Sequence, residues 1–147
     1  MNAIRRLLND HEEVQKLFNQ YLDAGEQAYK QKKSIVDQII NKITVHAELE
    51  EKILFPALQA KDGEDAEEVV LEGIEEHNVT VFIMDGLKQT PPEDKKFHAK
   101  YTVLMESAKH HFQEEERDLF PKAKKSLKGE LDRLGEEMDK LEKKLTK

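Results

Sequence analysis

Cysteine is absent from all 147 residues, which excludes disulfides, thiolate zinc sites, iron–sulfur clusters and a cysteine nucleophile. Any redox chemistry must then come from a bound metal. Tryptophan is absent too, aromatic residues make up only 6% of the chain, and glycine and proline number six and four. With charged residues at 37% and few β-branched runs, this scarcity favours long, solvent-washed helices over sheets. No run of about 18 apolar residues occurs. The opening stretch MNAIRRLLNDHEEV has neither a long apolar core nor a small-residue cleavage site. The expectation is a cytoplasmic chain with no membrane partner. A net charge of −7, with lysine and arginine interspersed among the acids, makes nucleic acid a poor partner as well.

What is present is one phrase written twice: HAELEEKILFP over residues 46–56 and HFQEEERDLFP over residues 111–121. Each copy places a glutamate four residues after its histidine, Glu50 and Glu115, followed by a second, Glu51 and Glu116. Residues four apart share one face of an α-helix, so each phrase offers a nitrogen and a carboxylate to one point in space. His11 lies 35 residues before His46, and His77 lies 34 before His111. The order is therefore His, His-x-x-x-Glu, His, His-x-x-x-Glu, the pattern of a pseudo-twofold dinuclear centre. Glu114 also faces inward, but it aligns with Leu49 whereas Glu115 aligns with Glu50, and the repeat selects Glu115.

The apolar spacing predicts four helices and a fifth segment. Residues 2–29 carry Ile4, Leu7, Val14, Phe18 and Tyr21 with His11 in the stripe, and a polar break at residues 31–34 is predicted to end in a Ser34 cap. Helix two holds His46 and Glu50; a turn at residues 61–65 precedes helix three, which holds His77. Thr90, Pro91 and Pro92 then break the chain and can open helix four, which holds His111 and Glu115. Pro56 and Pro121 are expected to bend or end their helices. The fold expected is all-α: an antiparallel up-down-up-down four-helix bundle over residues 1–125, with a C-terminal amphipathic helix over residues 126–147. That last stripe, Leu127 to Leu145 in steps of three and four, can lie back on the bundle or pair with a second copy.

Two ionised glutamates among Ile, Leu and Phe cost several kcal/mol each unless a cation compensates, and no lysine or arginine falls on those inner faces. Imidazole with carboxylate, and no thiolate, suits iron, manganese or zinc. In this reading Glu50 and Glu115 bridge two ions, and the histidines are terminal ligands, two to each. Without metal the same residues would form a buried polar network, and the chain would be a helical interaction protein. Glu51 and Glu116 point about 140° away from their histidines and read as outer groups; His98 and His110 read as exposed. Tyr21 and Tyr101 lie ten residues from a ligand on their own helix, about 15 Å along its axis, too far to share its metal.

These residues resemble the hemerythrin-like, or HHE cation-binding, domains over residues 1–125, including the Leu-Phe-Pro after each pair and the trailing Leu134-Gly135. The resemblance implies a non-haem di-iron centre with an oxo or hydroxo bridge, where dioxygen, peroxide or nitric oxide binds. It implies His11, His46, Glu50, His77, His111 and Glu115 as ligands, with zinc or manganese as other acceptable metals. Oxygen-carrying members have a second histidine on the third helix, four from the first, and a later aspartate on the fourth. Here Gly73 and Val81 flank His77 at that spacing and Glu115 replaces the aspartate, which leaves more open coordination. That favours turnover of, or protection against, the small oxidant; the alternative is a reversible oxygen store or an iron and oxygen sensor.

Overall fold

The computed structural model describes residues 1–146, and every element among them is a helix; Lys147, the last residue of the expected C-terminal segment, lies outside. Helix α1 spans Ala3–Asp23, with the Asn2 side chain accepting from the Arg5 N–H at 2.9 Å as its cap. It ends before the predicted boundary. Leu22 is 60% exposed, so the core has run out after Tyr21, and the chain turns over residues 24–28. Helix α2 spans Tyr29–Leu49, which overturns the predicted break at residues 31–34. Ser34 lies inside α2, and Ala28 at its N-cap makes no side-chain hydrogen bond.

Neither Pro56 nor Pro121 ends its helix. α2 passes through a π-helical turn, Glu50–Leu54, into α3, Phe55–Asp62; after α4 (Glu64–Lys88), α5 (Lys95–Glu114) does the same through Glu115–Leu119 into α6, Phe120–Ser126. In each π turn the phenylalanine N–H donates five residues back, Phe55 to the Glu50 carbonyl and Phe120 to the Glu115 carbonyl. The widened turn absorbs the following proline, which lacks an N–H and would crowd the carbonyl four residues before it. Each π turn begins at the repeated glutamate.

Gly63, at φ 55°, makes the tight reversal between α3 and α4, a conformation that L side chains rarely adopt. α5 is capped by Asp94, whose carboxylate accepts from the Lys96 N–H, so Pro91 and Pro92 stand before the cap and do not open the helix. The chain then reverses through Gly129 into α7, Leu131–Leu145, which lies back against α1. Leu127, Leu134 and Met138 are buried there. Gly135 does more than weaken this helix: a Cβ on it would come within 2.1 Å of the Met1 carbonyl oxygen, so the close approach of α7 to α1 requires glycine.

Two apolar clusters fill the bundle. One joins Ile4, Leu7, Leu54, Phe55, Leu58, Val70, Phe120 and the α7 residues; the other joins Val14, Phe18, Tyr21, Ile39, Met84, Tyr101 and Leu104. Between them lies a polar layer of buried groups: Asp10, His11, His46, Glu50, His77, His111 and Glu115. No helix among the described residues is long and apolar enough to cross a membrane.

Candidate metal centre

The six candidate residues converge in that polar layer from α1, α2, α4, α5 and the two π turns. His11, His46 and Glu115 form one set, and Glu50, His77, His111 and Glu115 a second, with the donor atoms of each set within 4.8 Å of one another. The carboxylates link the sets. Glu50 sets Oε2 3.2 Å from His46 Nε2 and Oε1 2.9 Å from His77 Nε2. Glu115 sets Oε1 2.9 Å from His11 Nε2 and 3.2 Å from His46 Nε2, and Oε2 3.3 Å from His111 Nε2. Each glutamate therefore touches histidines of both sets with different oxygens.

The four candidate histidines point Nε2 inward, and in three of them a carboxylate hydrogen-bonds the other nitrogen. Nδ1 of His11 meets Glu116 at 2.8 Å, that of His77 meets Glu51 at 2.7 Å, and that of His46 meets Asp10 at 2.9 Å. His111 Nδ1 lies 3.4 Å from Glu76. A carboxylate accepts, so a proton sits on Nδ1, and Nε2 is the nitrogen that a cation can take in place of a proton. Glu51 and Glu116, which look outward on their own helices, reach the histidine of a neighbouring helix. Asp10 and Glu76 escape a search for ligand spacings. Their signal was present nonetheless: an acid stands one residue before the first histidine of each half.

The donor set fits a positively charged guest. Glu50 Oε2, Glu115 Oε2 and both ring nitrogens of His111 are buried without a hydrogen-bond partner among the described residues. An unpartnered buried carboxylate oxygen is costly, and a metal ion removes the cost. Protons partly stand in for that charge. Burial disfavours a charged His46 ring, but Glu50, Asp10 and Glu115 hold its pKa well above the usual imidazole range. His111 is pushed up to about 9, Glu115 and Glu50 outweighing burial. Glu115 stays ionised despite burial, held well below the usual carboxylate range by the imidazoles of His11, His111 and His46.

The two sets differ in their surroundings. His11 is stacked between Phe112, centroids 4.0 Å apart, and Phe120 at 5.4 Å. His77 has one such neighbour, Phe55 at 5.9 Å. Ala47 stands where the repeat has Phe112, and beside it opens a cavity of about 90 Å³ walled by Ile43, Val81, Met84 and Phe112 and reaching His46, His77 and His111. Neither position flanking His77 supplies a donor: the Phe55 ring lies over Gly73, 2.9 Å from where a Cβ would be, and Val81 lines the cavity. Tyr101 and Tyr21 stack on each other at 3.5 Å within the second apolar cluster, His98 pairs with Tyr21, and His110 is exposed.

A model of the family described as hemerythrin HHE cation binding domain matches residues 2–123. Among solved structures, a hemerythrin HHE cation binding domain-containing protein from Mycobacterium kansasii is similar, with a TM-score of 0.84 and 21% identity over 99% of this chain and 87% of that one. At that identity the likeness establishes the fold alone. No curated protein matches in sequence.

Proposed function

This chain belongs to the hemerythrin HHE cation-binding family, and we propose that its histidine–glutamate cluster holds two iron ions and binds or reacts with dioxygen, peroxide or nitric oxide. The observation that carries this reading is the double reach of Glu50 and Glu115, each touching histidines of both sets with separate oxygens. Two cations sharing bridging carboxylates require that arrangement. His11 and His46 would hold one ion, and His77 and His111 the other. Bound there, the pair supplies a redox-active Lewis acid to which a small oxidant can coordinate.

The chain's own residues do the rest. Glu116, Asp10, Glu51 and Glu76 fix the tautomer and ring orientation of the four imidazoles. Phe112 and Phe120 stack on the His11 ring. The cavity over His77 and His111 presents mostly apolar surface and is of a size for a diatomic molecule or peroxide, which supports selection of a small ligand there. The uncompensated Gly73 and Val81 positions support open coordination there and favour reaction over reversible holding.

The test is metal content and the optical spectrum of protein prepared without oxygen, recorded before and after admitting air and then peroxide. The expected outcome is two irons per chain, with charge-transfer bands that appear on oxidation. Bleaching on oxygen removal would move the reading to a reversible store, and a chain that takes up no iron would overturn the iron reading.

A further inference from the structure

Three openings approach the polar layer, and their walls differ in chemistry. The cavity beside Ala47 presents mostly apolar surface, and its two acids are already engaged, Glu48 with Lys52 at 2.9 Å and Glu51 with His77 Nδ1 at 2.7 Å, which disfavours a hydrated cation. The opening over His11 carries Lys16 and Lys109 beside Glu12 and Glu116, so cations meet like charge there. The third, about 130 Å³ between α4 and the second π turn, is lined by Glu72, Glu76, Glu114 and Asp118 and by no lysine or arginine. Its inner wall is His111 and Glu115.

We infer that this third pocket is the route by which a divalent cation reaches the centre, with Glu72, Glu76 and Glu114 as its capture site. The inference rests on the reading that the centre binds metal. The acids alone would be an ordinary solvated cluster. What gives them a ligand is Glu115, 3% exposed, which lines the pocket and whose Oε2 has no hydrogen-bond partner among the described residues. Glu72 is exposed, Glu76 and Glu114 are about one-third exposed, and Glu76 also lies 3.4 Å from His111 Nδ1, so carboxylates run from solvent to the centre. Asp118 contributes less, since Arg117 pairs with it at 2.9 Å. A concave mouth lined by one sign of charge raises the local concentration of its counter-ion and its association rate by about 10- to 1,000-fold. The metal and the small ligand thus arrive from different sides of the same ion.

The test is stopped-flow uptake of Co²⁺ by the full-length chain stripped with a chelator, its helix content checked by circular dichroism, together with release from the cobalt-loaded chain. The variant is Glu72→Gln with Glu114→Gln, neither of which is one of the six candidate ligands. A control, Glu136→Gln with Glu137→Gln on α7, removes the same charge elsewhere. Uptake by the pocket variant is expected to slow about tenfold at low salt, and less at high salt. Release should slow in parallel, with two ions still bound at equilibrium. Unchanged uptake, or equal slowing in the control, would overturn the route. A wild-type chain that takes up no cobalt would instead overturn the metal-centre reading, a result the variant comparison cannot mimic.

Discussion

The half of the centre built around His11 and His46 is flanked by two aromatic rings and anchored, whereas the half around His77 and His111 has one such ring and an apolar-walled cavity beside it, although both carry the same ligand phrase. Phe112 covers His11, while Ala47, its counterpart in the repeat, leaves a cavity beside His77. Asp10, which orients His46, is buried and gripped by Arg6 at 2.6 Å, and Arg6 in turn pairs with Asp139 and Glu142 of α7. Glu76, which lies nearest His111 Nδ1, is about one-third exposed and lies against Glu114 instead of an arginine. Duplication supplies two equivalent sets of donors. On the proposed function, divergence of their immediate neighbours would make the two halves differ in how readily a small ligand reaches them.

The largest effect should come from removing what the halves share. Glu115→Gln takes one donor from both sets and is expected to lower metal content from two ions per chain to less than one, measured by elemental analysis. In the metal-free chain the same change should also destabilise, because it leaves the imidazoles of His11, His46 and His111 without their buried counter-charge. The anchoring difference comes next. Asp10→Asn should weaken metal binding about 10- to 100-fold, the usual range for loss of an orienting carboxylate. Glu76→Gln should weaken it less, because its contact is longer and wetter; equal losses would erase the distinction between the halves. Ala47→Phe should make the halves alike. It is expected to slow binding of a small probe such as nitric oxide about tenfold while both ions remain bound.

Charge in the metal-free chain gives a further separation. His46, His77 and His111 have folded pKa values raised above 6.5, so their contribution is fully present below pH 6.5 and lost as pH rises through the folded values, about 9 for His111. Denaturant titration of the metal-free chain should show stability falling by a few kcal/mol, in order of magnitude, over that window. The loaded chain should hold its stability there, since metal ions replace those protons. The smallest effect concerns α7. Gly135→Ala drives a methyl group into the Met1 carbonyl and should cost about 1–3 kcal/mol of stability, with a slight loss of metal affinity through Arg6.

Much of the layout was legible along the chain. Inward-facing histidines on apolar stripes, a glutamate one turn after two of them, and the turn at residues 61–65 all follow from helical periodicity, and the fold confirms the bundle. The α1–α2 boundary was not legible, because the stripe continues to Leu22 whereas the core stops at Tyr21. The two prolines misled for a related reason. A proline reads as a stop when only the α-helix is considered, and a π turn offers the backbone another way past it. Asp10 and Glu76 were missed because each orients a histidine on a different helix, 36 and 35 residues away.

The sequence by itself determined that the chain is helical, that its two halves repeat, and which side chains are candidates for a metal. Those properties are set by spacings of three, four and about 66 residues, which any helix must express. The tertiary structure alone decided how the histidines group, which carboxylate holds each outer nitrogen, and that a cavity opens beside Ala47. Those outcomes depend on which surfaces meet once the helices dock, so that a methyl at Ala47 and a ring at Phe112, equivalent in the repeat, produce opposite environments.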